Sequence, residues 1–419
     1  MNVLVIGCGG REHAIIRKLK ESARINKLYC APGNGGISKD AVCVDISVTN
    51  SNQIIIFCKE NQIDLVVVTP DDPLAAGMVD ALEAAGIRAF GPRREAAAIE
   101  SSKVFAKHLM KQYGIPTPDY EVFYHPDKAL AYIKKRNQYP VVVKADGLAL
   151  GKGVVIASDF TEAEHAVKAI MEDKIFGSSG NQIVVEAFIT GPEVSVLAFT
   201  DGKCIKPMVS SKDHKRVFDG DKGPNTGGMG TISPNPYYTD EIAEICMKTI
   251  FRPTINAMNQ EGRRFKGCLY FGLMLTEKGP QVIEYNCRFG DPETQVVLPR
   301  LKTDLMDIFE SVIDERLEEQ QIEWADTACA CVVMTSGGYP GKYETGMLLK
   351  GLDENGQLET TTVYHAGTCF QDGRFYTCGG RVLGITATDS TLEQALSKAY
   401  AGVEKLGFEG AYYRRDIGR

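Results

Sequence analysis

The first hundred residues alternate short apolar runs rich in β-branched side chains with amphipathic stretches of helical length, and this alternation limits the fold more than any other property of the chain. Val3–Ile6, Lys27–Cys30, Ala41–Val44, Asp64–Thr69 and Arg88–Phe90 read as strands, with helices fitting between them over 11–22, 51–60 and 74–85. Strands spaced this way need crossover connections, so the segment predicts a doubly wound, mostly parallel sheet. Its ligand crevice should open at the carboxyl ends of the strands. Gly7–Gly10, Pro32–Gly36 and Pro70–Pro73 fall there.

From about residue 101 the pattern changes. A helix over Lys103–Tyr113 leads through Ile115-Pro116-Thr117-Pro118 into a small unit of strands and helices, about 120–188, which includes Val141–Lys144 and Val154–Ala157. Longer strands follow at Glu193–Thr200, Gly267–Thr276 and Gln281–Tyr285, and between them lies a glycine-rich run, Asp219–Gly230, too polar for a core. Strands over Ala328–Thr335 and Arg381–Thr388 and a helix over Leu392–Lys405 end the pattern. A chain of 419 residues exceeds what one core serves. Three domains are expected, at 1–100, 101–325 (with 120–188 as a subdomain) and 326–419.

A net charge of −7 argues against a nucleic-acid partner, which requires a basic field. No apolar stretch approaches the roughly 20 residues of a membrane span, and Met1–Gly7 runs into a strand without a secretory leader. None of the twelve cysteines forms a Cys-x-x-Cys pair, and Cys329 and Cys331 alternate along an apolar run as core thiols do. A cytoplasmic protein with reduced thiols is expected.

Four motifs carry chemistry. Gly7-Cys8-Gly9-Gly10-Arg11-Glu12-His13 follows the first strand and opens a helix, a place where backbone N–H groups meet phosphate. Glu12 occupies the position of the last glycine of a dinucleotide fingerprint, which disfavours NAD and leaves a smaller phosphorylated ligand or a plain strand–helix turn. In Val141–Ile156, Lys144 ends an apolar strand, Lys152 sits between Gly151 and Gly153 in a hairpin, and a second apolar strand follows. That pattern suits a flap laying two ammonium groups over a polyphosphate, although an exposed hairpin would look similar. It is not a Walker loop, because Gly153 opens a strand and not a helix.

Ile183–Ile189 offers a strand edge whose backbone can bond adenine, with Phe188 packing nearby and Glu193 within reach of a ribose; Glu186 alone reads as an ordinary strand-end charge. In Gln281–Glu293, Glu284 and Asn286 stand two apart on a strand and present two oxygens on one face, a donor pair suited to Mg²⁺ completed by phosphate and water. Arg288 continues that face if the strand persists, near charge developing on a transferred phosphoryl group.

Taken in this order, the motifs resemble the ATP-grasp superfamily and, within it, the glycinamide ribonucleotide synthetase family. The likeness is carried by Gly7–His13, Pro32–Gly36, Val141–Val155, Ser211–Gly230 and Val282–Gln295, and runs nearly end to end. It implies an N-terminal parallel-sheet domain, an ATP-grasp fold with a mobile lid subdomain and a small α+β C-terminal domain. It also implies ATP-dependent joining of glycine to 5-phosphoribosylamine through glycyl phosphate, with Mg²⁺ or Mn²⁺ as cofactor; a monomer is expected, although the sequence leaves the oligomeric state open.

By the same resemblance, Lys103, Lys144 and Lys152, with Gly151 and Gly153, hold ATP, while Glu186, Ala187, Phe188, Ile189 and Glu193 take adenine and ribose. Glu284 and Asn286 hold the metal. Asp213 meets the glycine ammonium and Arg288 its carboxylate, with Arg288, Lys152 and Asp213 as catalytic groups. Gly9, Gly10, Arg11 and Asn34 bind the phosphoribosyl group, and Asp221, Asn225, Thr226 and Gly227 shape a substrate loop. Three departures stand out: Asp71-Asp72 replaces glutamate and a small residue, Leu150 replaces a small residue, and Leu273–Leu275 lacks a second metal carboxylate. Other ATP-grasp ligases and a non-catalytic nucleotide sensor are the competing readings. The Asp221–Gly230 loop argues against the first, and an intact Glu284, Asn286 and Arg288 against the second.

Overall fold

The computed structural model describes residues 1–148 and 153–419. Five parallel strands form the first sheet, in the order Val42–Cys43, Lys27–Pro32, Asn2–Gly7, Leu65–Val68, Ala89–Phe90. Its strand order reverses between Asn2–Gly7 and Leu65–Val68, so the crevice opens above the Gly7 loop. The expected helix over 74–85 is instead two helices, Asp71–Ala76 and Met78–Ala84, hinged at Gly77. Gly77 has φ +90°, a backbone state that glycine enters without steric cost and that ends a helix.

A four-stranded antiparallel sheet forms the lid, in the order Tyr120–Phe123, Ile183–Ala187, Val141–Ala145, Val154–Ala157. Helices Pro126–Arg136 and Phe160–Met171 pack on it around a separate core that includes Ile133, Val143, Ile170 and Ile183. A second antiparallel sheet orders Ile205–Pro207, Glu193–Thr200, Gly267–Thr276 and Gly279–Asn286. This central sheet and the N-terminal sheet share two cores: Leu4, Val66, Phe271 and Val282 lie in one, and Val3, Val67, Phe199 and Phe309 in the other. Continuous apolar packing therefore joins the crevice of the first sheet to the floor of the second.

The last sheet crosses the expected boundary near residue 326. Gly230–Ser233, from the middle of the chain, pairs with Ala328–Thr335, which continues through Arg381–Asp389 to Thr362–His365. Lys212–Asp213 extends the other edge. The run 219–230, expected to be loop, thus contributes part of the hairpin Arg216–Phe218/Lys222–Asn225 and leads straight into a buried strand. Helix Leu392–Val403 covers this sheet. All twelve cysteines are free, and Cys329 and Cys331 are fully buried on their strand as expected.

Candidate active site

A bulge decides where the central sheet's last strand points its side chains. Gly272 pairs with Glu284 and Leu273 with Val282, which leaves Ile283 as an extra residue without a partner opposite. Bulges bend a strand and re-aim the side chains beyond the bend. The carbonyls exposed there are taken up by the cleft: Ile283 O accepts from Lys144 Nζ at 2.9 Å and Val282 O from Thr117 Oγ1 at 2.8 Å. Beyond the bulge, Glu284 and Asn286 face the cleft while Tyr285 turns into the core, its hydroxyl 2.9 Å from that of Thr254. The expectation that the two oxygens share a face is met by this arrangement.

The cleft comprises two adjoining cavities of about 310 and 660 Å³, with Lys144, Glu186, Glu284, Asn286, Arg288 and Asp291 in the walls of both. Lys215, which the sequence did not single out, bridges Glu284 at 3.2 Å and Glu193 at 3.3 Å. Its field holds the Glu284 carboxyl down to about 2 against the opposing effect of burial. Burial in turn pulls the lysine down, but the two carboxylates push it well above its ordinary value.

Among the described residues no three His, Cys, Asp or Glu side chains converge as a metal site. An ionised Glu284 and the amide of Asn286 supply two hard oxygen donors. That fits a divalent ion arriving with a polyphosphate better than one held by protein alone.

Arg288 reaches the cleft by a different route from the one expected. The strand ends at Asn286, because the Cys287 N–H leaves the ladder to donate to Glu100 Oε2 at 2.7 Å. Glu100 Oε1 then receives the Arg288 guanidinium at 3.1 Å, and Arg288 Nη1 also donates to Phe289 O at 3.1 Å. Among the described residues, the buried Nε of Arg288 has no partner. Burial raises the Glu100 carboxyl, with Arg288 opposing.

Asp213 lines the larger cavity together with Glu293. Burial lifts the Asp213 carboxyl well above the usual carboxylate range, and Glu293 adds to the effect. Burial also raises Glu293, whose Oε1 accepts from Ser195 Oγ at 3.2 Å. Buried Glu293 and half-buried Asp213 border one open space, where an ammonium group would favour the ionised form of both. Gly228 closes against them: a side chain there would lie 2.7 Å from Asp213 Oδ1 and 2.4 Å from Pro292 Cδ, at φ +109°.

At the lid end, the carboxylate of Glu186 lies between Lys144 at 3.0 Å and Lys107 at 3.2 Å. Lys103 donates to Gly147 O at 2.8 Å, and burial lowers its pKa, with Lys144 adding to the effect. Gly153 lines the smaller cavity; Ala187, Phe188, Ile189 and Glu193 line the larger. Gly151 and Lys152, like Leu150, lie outside the described residues.

The N-terminal loop is less open than its glycines suggest. Glu12 folds over it, accepting from Gly9 N–H at 2.5 Å, from Thr69 Oγ1 at 2.6 Å and from Arg11 Nε at 2.6 Å. A dinucleotide loop needs a small residue there. Arg11 reaches the smaller cavity beside Asp71 and donates to Phe289 O at 3.1 Å. Gly9, Gly10 and Asn34 line neither cavity. Asn34 clamps its own turn: its amide donates to Cys8 O and His365 O at 2.8 and 2.9 Å, and its oxygen accepts from Gly36 and Ile37 N–H.

Asp221, Asn225, Thr226 and Gly227 all border the larger cavity. Arg414 holds Asp221 at 2.8 Å, Thr226 Oγ1 donates to Lys215 O at 2.8 Å, and Gly227 N–H donates to Tyr339 Oη at 3.0 Å. Besides Lys215, sequence reasoning missed Glu100 and Lys107 as cleft residues. Lys107 had one signal, its place a helical turn beyond Lys103; Glu100 had none, since it lies on the preceding helix, Arg94–Ser101, across the extended Ser102.

The family model described as phosphoribosylglycinamide synthetase, N domain, matches residues 1–100; the ATP-grasp (A) domain of the same enzyme matches 101–294 and its C domain 329–419. A phosphoribosylamine–glycine ligase from Caldanaerobacter subterraneus subsp. tengcongensis is 47% identical over 417 residues, covering 100% of this chain and 99% of its own. The crystal structure of phosphoribosylamine–glycine ligase from Thermotoga maritima superposes with a TM-score of 0.84 at 32% identity, covering 100% of both chains. A biotin carboxylase domain from Hydrogenobacter thermophilus, solved with MgADP, shares the fold at a TM-score of 0.74 and 17% identity, over 98% of this chain and 91% of its own.

Proposed function

Because the chain belongs to the phosphoribosylglycinamide synthetase family, we infer that it ligates glycine to 5-phosphoribosylamine at the expense of ATP, a step of purine biosynthesis. The observation that carries the assignment of roles is the convergence of Lys144, Asp213, Glu284, Asn286 and Arg288 on one cleft from separate elements. A carboxylate is a poor acyl donor until one oxygen becomes a leaving group. In this reading ATP phosphorylates glycine to glycyl phosphate, and the sugar amine then attacks its carbonyl carbon and expels phosphate.

Lys103 and Lys144 meet the ATP phosphates, with Lys152 assigned to the same group from its sequence position. The edge from Glu186 to Ile189 takes the adenine and Glu193 the ribose. Asp213, with Glu293 beside it, holds the glycine ammonium, and Arg288 binds the glycine carboxylate in its planar fork. Glu284 and Asn286 would hold Mg²⁺, or Mn²⁺ in its place, which neutralises charge on the transferring phosphoryl group. Arg11 faces the phosphoribosyl end; Gly9, Gly10 and Asn34 act by shaping its loop. Residues 221–227 close the amine side. Holding three reactants in line supplies much of the acceleration. Keeping water from the acyl phosphate is the purpose of the lid.

Twelve free cysteines and a biosynthetic role support a cytoplasmic location, and one chain supplies every group named, which supports a monomer. Among the described residues no helix is long and apolar enough to cross a membrane. The decisive measurement is ADP release with ATP, Mg²⁺ and phosphoribosylamine generated in situ. Release should require glycine, fall sharply with alanine, and fail when ammonia replaces the sugar amine. Equal turnover with ammonia would remove the phosphosugar from the assignment.

A further inference from the structure

Three charged side chains at the lid end of the cleft are almost completely withdrawn from water: Lys107 and Glu186 are 3% and 2% exposed, and Lys144 is 8%. All three line the smaller cavity. They come from different parts of the fold. Lys107 lies on helix Lys103–Gln112, Lys144 and Glu186 on neighbouring lid strands paired Val142↔Glu186 and Lys144↔Val184. Replacing a buried ion cluster with apolar side chains is often neutral or stabilising, so its presence is poorly explained by stability.

The geometry divides the Glu186 carboxylate between two ammonium groups, with Oε1 to Lys144 at 3.0 Å and Oε2 to Lys107 at 3.2 Å. Each lysine has a second anchor, Lys144 directly on the bulged strand and Lys107 through Thr117. Lys144 bonds Ile283 O at 2.9 Å; Lys107 bonds Thr117 Oγ1 at 2.6 Å, which in turn bonds Val282 O at 2.8 Å. Glu186 is thereby fixed in place relative to the strand that carries Glu284 and Asn286.

We propose that Lys107 is a positioning residue for nucleotide choice, holding Glu186 as an ionised, acceptor-only group at the place where the exocyclic amine of adenine arrives. The proposal rests on the adenine placement along Glu186–Ile189 and adds to it the origin of base selectivity. An ionised carboxylate has only acceptor oxygens. A 6-aminopurine presents a donor to it, and a 6-oxopurine presents another acceptor, leaving both buried groups unpaired. Such a mismatch in a desolvated site is far more discriminating than a difference in size. With two cations the carboxylate is paired at both oxygens; with one, it is free to rotate. Burial draws Lys107 down to about 8, while Glu186 supports its charged form.

The test uses the full chain and compares ATP with ITP, whose base carries a carbonyl at the same position. Lys107→Met should raise the KM for ATP about tenfold, equivalent to about 1.4 kcal/mol, with a much smaller change in kcat. It should lower the ATP-over-ITP ratio of kcat/KM about tenfold. Glu186→Gln should lower the same ratio, since an amide can face either base, and Lys107→Met should add little in that background. A Lys107→Met enzyme with reduced thermal stability but an unchanged ATP/ITP ratio overturns the proposal. If Glu186→Gln shifts the ratio and Lys107→Met does not, the nucleotide placement stands and the role of Lys107 falls. If Glu186→Gln moves neither KM nor ratio, the placement itself fails and takes the proposal with it. Should Lys107→Met not fold, Lys107→Arg keeps the charge in a different shape. The preference of that variant for ADP over IDP, measured by binding, should then fall below that of the parent, and an unchanged preference overturns the proposal.

Discussion

Arg288 sits where a guanidinium is costly to keep, half-buried against Glu100, with its Nε unpartnered among the described residues and its far side open to the cleft. An arginine in this position offers a planar fork to a carboxylate, which lysine cannot reproduce. Arg288→Lys should therefore reduce kcat/KM for glycine by two orders of magnitude or more, roughly 3 kcal/mol of lost transition-state binding, while the KM for ATP changes little. Steady-state kinetics with glycine varied at saturating ATP would check this, and near-normal glycine kinetics would remove Arg288 from the substrate carboxylate. That Arg288 belongs to the cleft was legible from its motif. What holds it was not, because Glu100 lies 187 positions before the Cys287 N–H that it also binds, and no periodicity reports a contact at that range. Lys215 was hidden for a related reason: a lysine in a polar loop reads as solvated until the fold brings Glu193 and Glu284 to it.

At the scale of elements, strand Gly279–Asn286 shows both how far periodicity reaches and where it stops. Alternation placed Glu284 and Asn286 on one face and Tyr285 on the other, as they are. The extra residue at Ile283 left no mark in the hydrophobic pattern, since an isoleucine suits either side of a bulge. The same strand carries a direct prediction. Glu284→Ala together with Asn286→Ala removes both protein oxygens offered to the metal, and should lower ADP release at least a thousandfold, about 4 kcal/mol. The circular dichroism spectrum should remain that of the parent, because neither side chain is in an apolar core. Parent-like ADP release from the double variant would exclude this pair as the metal site. Helix prediction failed for a simpler reason at 71–84, where Gly77 interrupts a continuous amphipathic pattern with a left-handed turn.

Across the whole molecule, buried imidazoles tie the C-terminal sheet to the rest. His214 lies next to Asp213, with Nδ1 3.1 Å from Gly230 O and Nε2 accepting from Gly418 N–H at 3.1 Å. Burial lowers its pKa to about 4. His365 bonds Gly356 O at 2.7 Å and lies 3.0 Å from Thr368 Oγ1, and burial lowers it to about 3. In the unfolded chain both titrate near 6.5, so below that pH the unfolded state binds more protons and gains relative to the folded one. The stability these two groups contribute is present above about pH 6.5 and is lost as the pH falls through 4 and toward 3. His214 is worth about 3 kcal/mol and His365 about 5 kcal/mol. The melting temperature should fall steadily between pH 6.5 and 4, and His214→Gln should flatten that fall; an unchanged slope in the variant would show that His214 is not a source of it.

The sheet that these histidines help to close contains a strand that the sequence pattern did not announce. Gly230–Ser233 is four residues long and follows a glycine-rich run, too little to announce a strand. Its pairing with Ala328–Thr335 has a consequence for how the enzyme is made. The loop over residues 213–230 leaves the ribosome well before the strand it borders, and Arg414, which holds Asp221 at 2.8 Å, emerges later still. Arg381, made last of all the side chains that line the smaller cavity, likewise follows Lys103 and Lys144 by more than two hundred positions, so the walls of the cleft are complete only when nearly the whole chain has been made.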